Sequence, residues 1–370
     1  MTAPCPILIS RSAVATRKLC PMKRYYNYHH PHPDAPPGAP GGIVPTQDRD
    51  ATHLAKQRGL WLHGCMEHLL AGGDWQAWLT EQSDPLRVEA ALTGSYPHMV
   101  GILEEQVRLV RRAVIGWVAQ RGYLLDLYTP ISSEEEWTWA LSPFVGQTLR
   151  LDQIWRNKTT GALLIVDFKT LSRADSNWIA RLRESDQTHL YVQALTERTG
   201  EQIEGIQYEG IVIGKFEDGI QKSPFTRAYS RAGGLLVPKW QAGSSLVSTE
   251  AMTDDEWLAW AHLHRVLSDC YITTGPLRPT AAQLTQTQAA TAQAELTWAD
   301  TIAQVEAADP RDREAVRHRL IERSSDACLK FGAGYACAYA GLCWKGEAVT
   351  SETFAPRVDH HAPLEEAPAV

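Results

Sequence analysis

No stretch of this 370-residue chain approaches the roughly 18 uninterrupted apolar residues of a membrane-spanning helix, so an integral membrane protein is not expected. Met1 to Ser10 lacks the basic stretch and apolar core of a secretory leader, and the expectation is a cytoplasmic protein. An excess of positive charge is missing as well. Lys and Arg number 36 against 43 Asp and Glu, a net charge of −7. That excludes a strongly cationic coat for nucleic acid and leaves only a local basic groove for such a role. Cysteine does not come in an even count: there are seven, which argues against a secreted disulfide framework. No internal repeat is present. What remains is ordinary globular composition, 44% hydrophobic and 21% charged, at a length that suggests two domains or one large domain with insertions. Thirteen tryptophans are many for this length and imply either large aromatic core elements or stacking surfaces.

Ser10 or Ser12 is placed to cap a helix ending near Leu19, and Pro21 follows Cys20 directly. Residues 29–50 hold six prolines and three glycines and read as a loop. His29, His30 and His32 within it are either exposed loop histidines or metal ligands. Helical patterns cover 51–70 and 97–122. The second carries Arg108, Arg111 and Arg112, a stripe that is either a solvated face or a phosphate-contacting one. Strand patterns follow at 123–130, 136–141, 148–156 and 163–169, then a helix at 186–198 and a strand at 206–214. An irregular Ser/Pro/Gly-rich piece at 218–247 precedes helical patterns at 253–272 and 280–325, the last broken at Pro310. The regions expected are 1–50 (first helix and Pro-rich loop), 51–250 (core), 251–350 (C-terminal helical region) and 351–370 (polar tail).

The segment from Arg150 to Thr170 reads as a hairpin turning between Asn157 and Gly161. A turn centred between Thr159 and Thr160 makes Asp152 and Asp167 cross-strand partners, with Cβ atoms roughly 5 Å apart. Two carboxylates at that spacing repel, and a divalent cation such as Mg²⁺ or Mn²⁺ neutralises them. Lys169 lies two residues past Asp167 and so points to the same face. Two carboxylates and an ammonium at one point suit metal-assisted phosphodiester hydrolysis. The alternative is a salt-bridged surface hairpin that binds nothing.

The surroundings extend this pattern. Gly59-Leu-Trp-Leu-His63 opens a helical stretch, and Gln187-Thr-His-Leu-Tyr191 opens the helix after the hairpin, with Gln187 and Tyr191 on one face. The ordered set, Gly-x-x-x-His, then Asp, then Asp-x-Lys, then Gln-x-x-x-Tyr, resembles the RecB-type branch of the PD-(D/E)XK nuclease superfamily over residues 59–195. The resemblance implies an α/β fold: a restriction-endonuclease-like core with a central mixed sheet flanked by helices, and helical N- and C-terminal additions. It implies that His63, Asp152 and Asp167 bind the metal together with the backbone carbonyl of Phe168. It makes Lys169 the catalytic lysine, with Gln187 and Tyr191 contacting DNA or steadying the site. Glu136 is an outer acidic candidate, with Glu134 and Glu135 competing for that place.

Cys328, Cys337 and Cys343 are separated by eight and five residues, a spacing that suits a loop around a metal centre in need of a fourth ligand. Cys20 is the candidate for that ligand, and Cys5 competes with it. The context of Cys20 resembles that of the iron–sulfur nucleases of the same branch, among them the AddB nuclease domain and the exonucleases of CRISPR adaptation. These carry one cysteine before the core and three after it, around a [4Fe–4S] cluster that ties the chain ends together. The five-residue interval matches that pattern and the eight-residue interval departs from it. A Zn²⁺ site and unlinked buried thiols stay open as alternatives. Arg17, Lys18, Lys23 and Arg24 beside Cys20 are candidates for a phosphate-tracking groove. The aromatics around the cysteines either shield a cluster or stack on bases.

The expectation is a Mg²⁺- or Mn²⁺-dependent DNA nuclease, working from DNA ends in recombination, repair or phage DNA processing, with a helicase or recombination protein as partner and no membrane. The rival is a non-catalytic DNA-end-binding or accessory module that keeps the fold and cluster.

Overall fold

The computed structural model describes residues 7–35, 41–45, 51–93, 99–172, 177–217, 251–324, 339–345, 347–351 and 353–357, with Cys337 and short stretches between 220 and 249. In chain order the elements are β1 (Ile7–Ser10), α1 (Arg11–Leu19), α2 (Pro21–Tyr28), β2 (Ile43–Pro45), α3 (Ala51–Leu70), α4 (Trp75–Thr93), α5 (Met99–Arg121), α6 (Leu124–Leu127), β3 (Tyr128–Ser142), β4 (Val145–Asn157) and β5 (Leu163–Leu171). There follow α7 (Trp178–Arg183), α8 (Asp186–Thr199), β6 (Ile203–Val212), β7 (Lys215–Glu217), β8 (Ile220–Lys222), β9 (Ser230–Ala232) and β10 (Leu235–Val237). The rest are α9 (Asp254–Leu263), α10 (Leu267–Cys270), β11 (Tyr271–Thr273), α11 (Ala281–Ala307), α12 (Arg313–Leu320), a π-helical turn (Gly341–Lys345) and β12 (Phe354–Pro356). No helix among the described residues is long and apolar enough to cross a membrane.

Several expected elements take a different form. The strands expected at 123–130 and 136–141 are one long strand, β3, entered through the helical turn α6. The helical pattern over 253–272 stops at Cys270, and Tyr271–Thr273 become an edge strand antiparallel to β6. The β-branched and aromatic residues Tyr271, Ile272 and Thr273 favour that outcome.

The chain divides into two units. The larger consists of residues 54–137 and 150–288. Its sheet places β5 between β4, antiparallel, and β6, parallel, with β11 outside β6. β5 opens with a continuous buried apolar run from Leu163 to Val166, as expected of a strand covered on both faces. Trp117 of α5 anchors the core, meeting Trp155 and Phe168 edge-on at centroid distances of 6.5 and 5.7 Å. Trp61, Trp117, Trp155 and Trp257 are all fully buried, so these tryptophans are core elements.

Within the arginine stripe of α5, Arg112 is neither solvated nor open to a phosphate. Arg112 is fully buried and donates to the carbonyls of Phe225 (2.7 Å), Thr249 (2.9 Å) and Met252 (2.5 Å) and to Asp254 (3.2 Å). Arg111 pairs with the other oxygen of Asp254 at 2.6 Å.

The smaller unit consists of residues 1–53, 138–149 and 289–370. Ser10 caps α1 by accepting from the Ala13 amide, and β1 runs parallel to the first residues of β4. Pro21 sits at the start of α2, which disfavours helical geometry at the residue before it. Cys20 is accordingly extended, with φ −160° and ψ 112°. Tyr26 stacks on Tyr339 at 5.5 Å, Tyr339 on Phe354 at 5.6 Å, and β12 pairs with β2.

Two expectations for this unit need correction. His29 and His32 are packed rather than exposed: His29 accepts from the Trp298 indole at 3.1 Å, and His32 is hydrogen-bonded to the Phe354 carbonyl at 3.0 Å. Burial lowers the His29 pKa to about 4. Arg17 and Arg24 are not open to a phosphate, because both converge on the fully buried Glu295 at 3.1 and 2.7 Å.

Arg112→Ala strands three carbonyls and a carboxylate. It should cost about 3–5 kcal/mol and lower Tm by roughly 6–15 °C. Arg111→Ala, whose side chain is 44% exposed, should cost about 1 kcal/mol or less in the same thermal melts. Equal losses in the two variants would contradict this assignment.

Candidate active site

The hairpin of β4 and β5 supplies the centre of the site. Asn157 Oδ1 accepts from the amides of Thr159 and Thr160 at 2.9 and 3.0 Å, and Gly161 takes a left-handed φ of +74°. This turn sets the register, with Gln153 opposite Val166 and Ile154 opposite Ile165. Asp152 and Asp167 are the next residues of the two strands beyond this paired stretch. Asp152 Oδ2 accepts from the Phe168 amide at 2.9 Å.

Asp167 is buried, and both its oxygens are engaged. Gln187 Nε2 donates to Oδ1 at 2.7 Å, and the Lys169 ammonium pairs with Oδ2. Lys169 also lies 5.7 Å from the ring centroid of Tyr208 on β6. Gln187 sits in the first turn of α8, where Ser185 caps the helix by accepting from the Gln187 amide at 3.2 Å. Tyr191, one turn along α8, is buried.

Helix α3 brings His63 to the hairpin. Its Nδ1 stands 3.3 Å from Asp152 Oδ2 and 3.8 Å from Glu134 Oε1. Sequence reasoning put Glu136 forward, with Glu134 and Glu135 as competitors; among the three, the structure places Glu134 in the site. Glu135 instead accepts from Ser132 and pairs with Arg198. Glu134 has a left-handed φ of +48°, a conformation rare for a residue with a Cβ. That local twist has no sequence signature. Arg150 of β4, also absent from the sequence expectation, pairs with Glu134.

The donor atoms of His63, Glu134 and Asp152 all lie within 4.8 Å of one another. Ligands of an octahedral Mg²⁺ at about 2.1 Å stand about 3–4.2 Å apart, so an imidazole and two carboxylates at this spacing fit a hard divalent cation. Asp167, the third side-chain ligand expected, adjoins this triad with Gln187 and Lys169 on its two oxygens. Phe168 contributes its amide to Asp152 and its ring to the core. These groups open onto a cleft of about 620 Å³, lined also by Gln57, Leu60, Glu67, Trp78 and Thr170.

Of the expected cluster ligands, Cys20 and Cys343 are buried in one apolar cluster of the smaller unit, and Cys337 packs against it. Cys328 and Cys5 lie outside the described residues.

The electrostatics match a site built to be neutralised. Burial, and then the charge of Asp167, push the Asp152 pKa up to about 6. Burial opposes protonation of His63, but its hydrogen bond to Glu134 and the charge of Asp152 outweigh this and raise its pKa. Burial pushes Glu134 up, yet the His63 hydrogen bond and the Arg150 guanidinium hold it below the usual carboxylate range.

An acid whose pKa is higher folded than unfolded favours the fold when protonated, and that contribution is lost as pH rises. For Asp152 the window runs from about 4, the unfolded value, to about 6. In EDTA at pH 7.5, Asp152→Asn should therefore be more stable than the unsubstituted protein by about 1–3 kcal/mol, and the gap should close towards pH 4. Mn²⁺ should raise Tm for the unsubstituted protein and much less for the variant. A variant that melts lower in EDTA at pH 7.5 would refute the repulsion.

A family model for the PD-(D/E)XK nuclease superfamily matches residues 8–343. No protein of curated function matches the chain. The match runs from the first strand through the core to the C-terminal cysteines, and the mixed sheet flanked by helices agrees with it. The chain belongs to the PD-(D/E)XK nuclease superfamily.

Proposed function

We propose that this protein is a Mg²⁺- or Mn²⁺-dependent DNA nuclease that cuts from DNA ends. The observation that carries the reading is the convergence of His63, Glu134 and Asp152 within 4.8 Å, beside an Asp167–Lys169 pair on the adjoining strand. A divalent cation held by the triad would supply Lewis acidity and a bound water of lowered pKa. Lys169 supplies positive charge against the charge that develops on the phosphorane. Gln187 fixes the Asp167 carboxylate, and through it the position of the ammonium. The Phe168 amide and His63 hold Asp152 in place. DNA as substrate, and a role in recombination, repair or phage DNA processing beside a helicase or recombination protein, rest on the ordered motif set of residues 59–195.

The reading includes a [4Fe–4S] cluster on Cys20, Cys328, Cys337 and Cys343. Its support is that Cys20, ahead of the core, and Cys337 and Cys343, beyond it, meet in one apolar cluster. Protein purified without oxygen should be brown and carry about four iron atoms per chain, and Cys20→Ser should lose both colour and thermal stability. Colourless protein with about one zinc per chain would replace this cofactor with Zn²⁺.

The activity is tested with end-labelled single- and double-stranded linear DNA and closed circular DNA, in Mn²⁺, Mg²⁺ or EDTA. Linear DNA should be degraded only with metal and circles should survive. Lys169→Ala, assayed where it stays folded, should lower kcat by about 10²–10³. No cutting of any substrate by folded, metal-replete protein would overturn the enzyme reading and favour a DNA-end-binding module.

A further inference from the structure

The active-site cleft has two unlike walls. The strand side carries charge: Glu134 of β3, Arg150 and Asp152 of β4. The helix side carries His63 and Glu67 of α3 and, beside them, an uncharged stretch of Gln57 and Leu60 of α3 with Trp78 and Gln82 of α4. Leu60 is 56% exposed there. A nucleotide has the same two-sided chemistry, an anionic phosphate and a flat apolar base.

Trp78 is held in this wall by a specific vacancy. A Cβ built on Gly64 would lie 2.0 Å from the Trp78 ring carbon Cη2 and 2.4 Å from Cζ2. The indole therefore rests on the bare backbone of α3, one residue from His63. Gly59, the glycine of the recognised helix motif, has nothing within 4 Å of its Cβ position, so the steric demand falls on Gly64. His68, one turn along α3, stacks on the indole at 5.2 Å with planes 29° apart. Ring position and tilt are thus set from α3, the helix that also carries His63.

We propose that Trp78 is the stacking platform for an unpaired base of the bound strand, and so a positioning residue that sets the strand's register over His63, Glu134 and Asp152. The cleft volume is that of a small-molecule site, enough for a nucleotide or two and not for a duplex. Stacking on an aromatic ring is indifferent to base identity, so the wall reads an unpaired nucleotide rather than a sequence. The proposal rests on the nuclease reading for its substrate, but its test does not require cutting.

The probe is a set of single-stranded oligodeoxynucleotides with 2-aminopurine at successive positions, bound in Ca²⁺ to the full chain. Binding should quench the fluorescence at one position near the end. Trp78→Ala should abolish that quench and raise Kd about 5- to 100-fold, the worth of one base stack. Trp78→Phe should keep most of both. Gly64→Ala, which displaces the ring without removing it, should resemble Trp78→Ala. If the protein cuts, Trp78→Ala should raise KM far more than it lowers kcat. A quench and Kd unchanged in Trp78→Ala, or a Phe variant as impaired as the Ala variant, would overturn the proposal. Loss of cutting with the quench intact would count against the nuclease reading instead.

Discussion

Asp152 and Asp167 lie just past the last paired residues of neighbouring strands, and burial and then the charge of Asp167 make Asp152 harder to ionise. The surrounding groups answer that repulsion. Gln187 and Lys169 take up the two oxygens of Asp167; the Phe168 amide and His63 take up Asp152. These partners come from β5, α3 and α8, so the elements that pack the core also bring compensation to one spot. The compensation is incomplete, as the raised pKa of Asp152 records, and the remainder is what a bound cation would remove. A site of this kind is less stable empty than filled, a common property of centres whose carboxylates are placed for ligation.

Much of the core was legible because its signals are local. The Asn-Lys-Thr-Thr-Gly turn sets the hairpin register, and that register alone brings the two aspartates together. Helices α3 and α5 follow an apolar period, and α8 announces itself with a serine cap. What escaped depends on context. Glu134 enters the site through a left-handed backbone twist in the middle of a strand, and its neighbours Glu135 and Glu136 have the same chemistry. Arg112 looks like a surface cation by spacing. It is buried because Phe225, Thr249, Met252 and Asp254, more than a hundred positions later, offer it acceptors. A basic residue near a candidate cluster reads as a phosphate contact until its carboxylate partner is known, and for Arg17 and Arg24 that partner is Glu295.

The smaller unit is held by a different balance from the larger. Its apolar cluster is modest and rich in tyrosine, and its polar anchor is one buried carboxylate shared by two guanidiniums. Such an anchor is specific in geometry and expensive to break, since removing Glu295 would leave two arginines without a counter-charge in a dry place.

This unit is assembled from stretches very distant along the chain: Asn27 and Tyr339, hydrogen-bonded in the folded protein, are 312 positions apart. At about 5–20 residues per second, a ribosome making this chain takes roughly 15–60 s to supply the later partner after the earlier one. For most of that interval Met22, Tyr25 and Tyr26 have neither α11 nor the later segment around Tyr339 to cover them. The segment around Met22 is thus completed long after it is made. How long that apolar surface stays uncovered is then a matter of translation speed as much as of affinity.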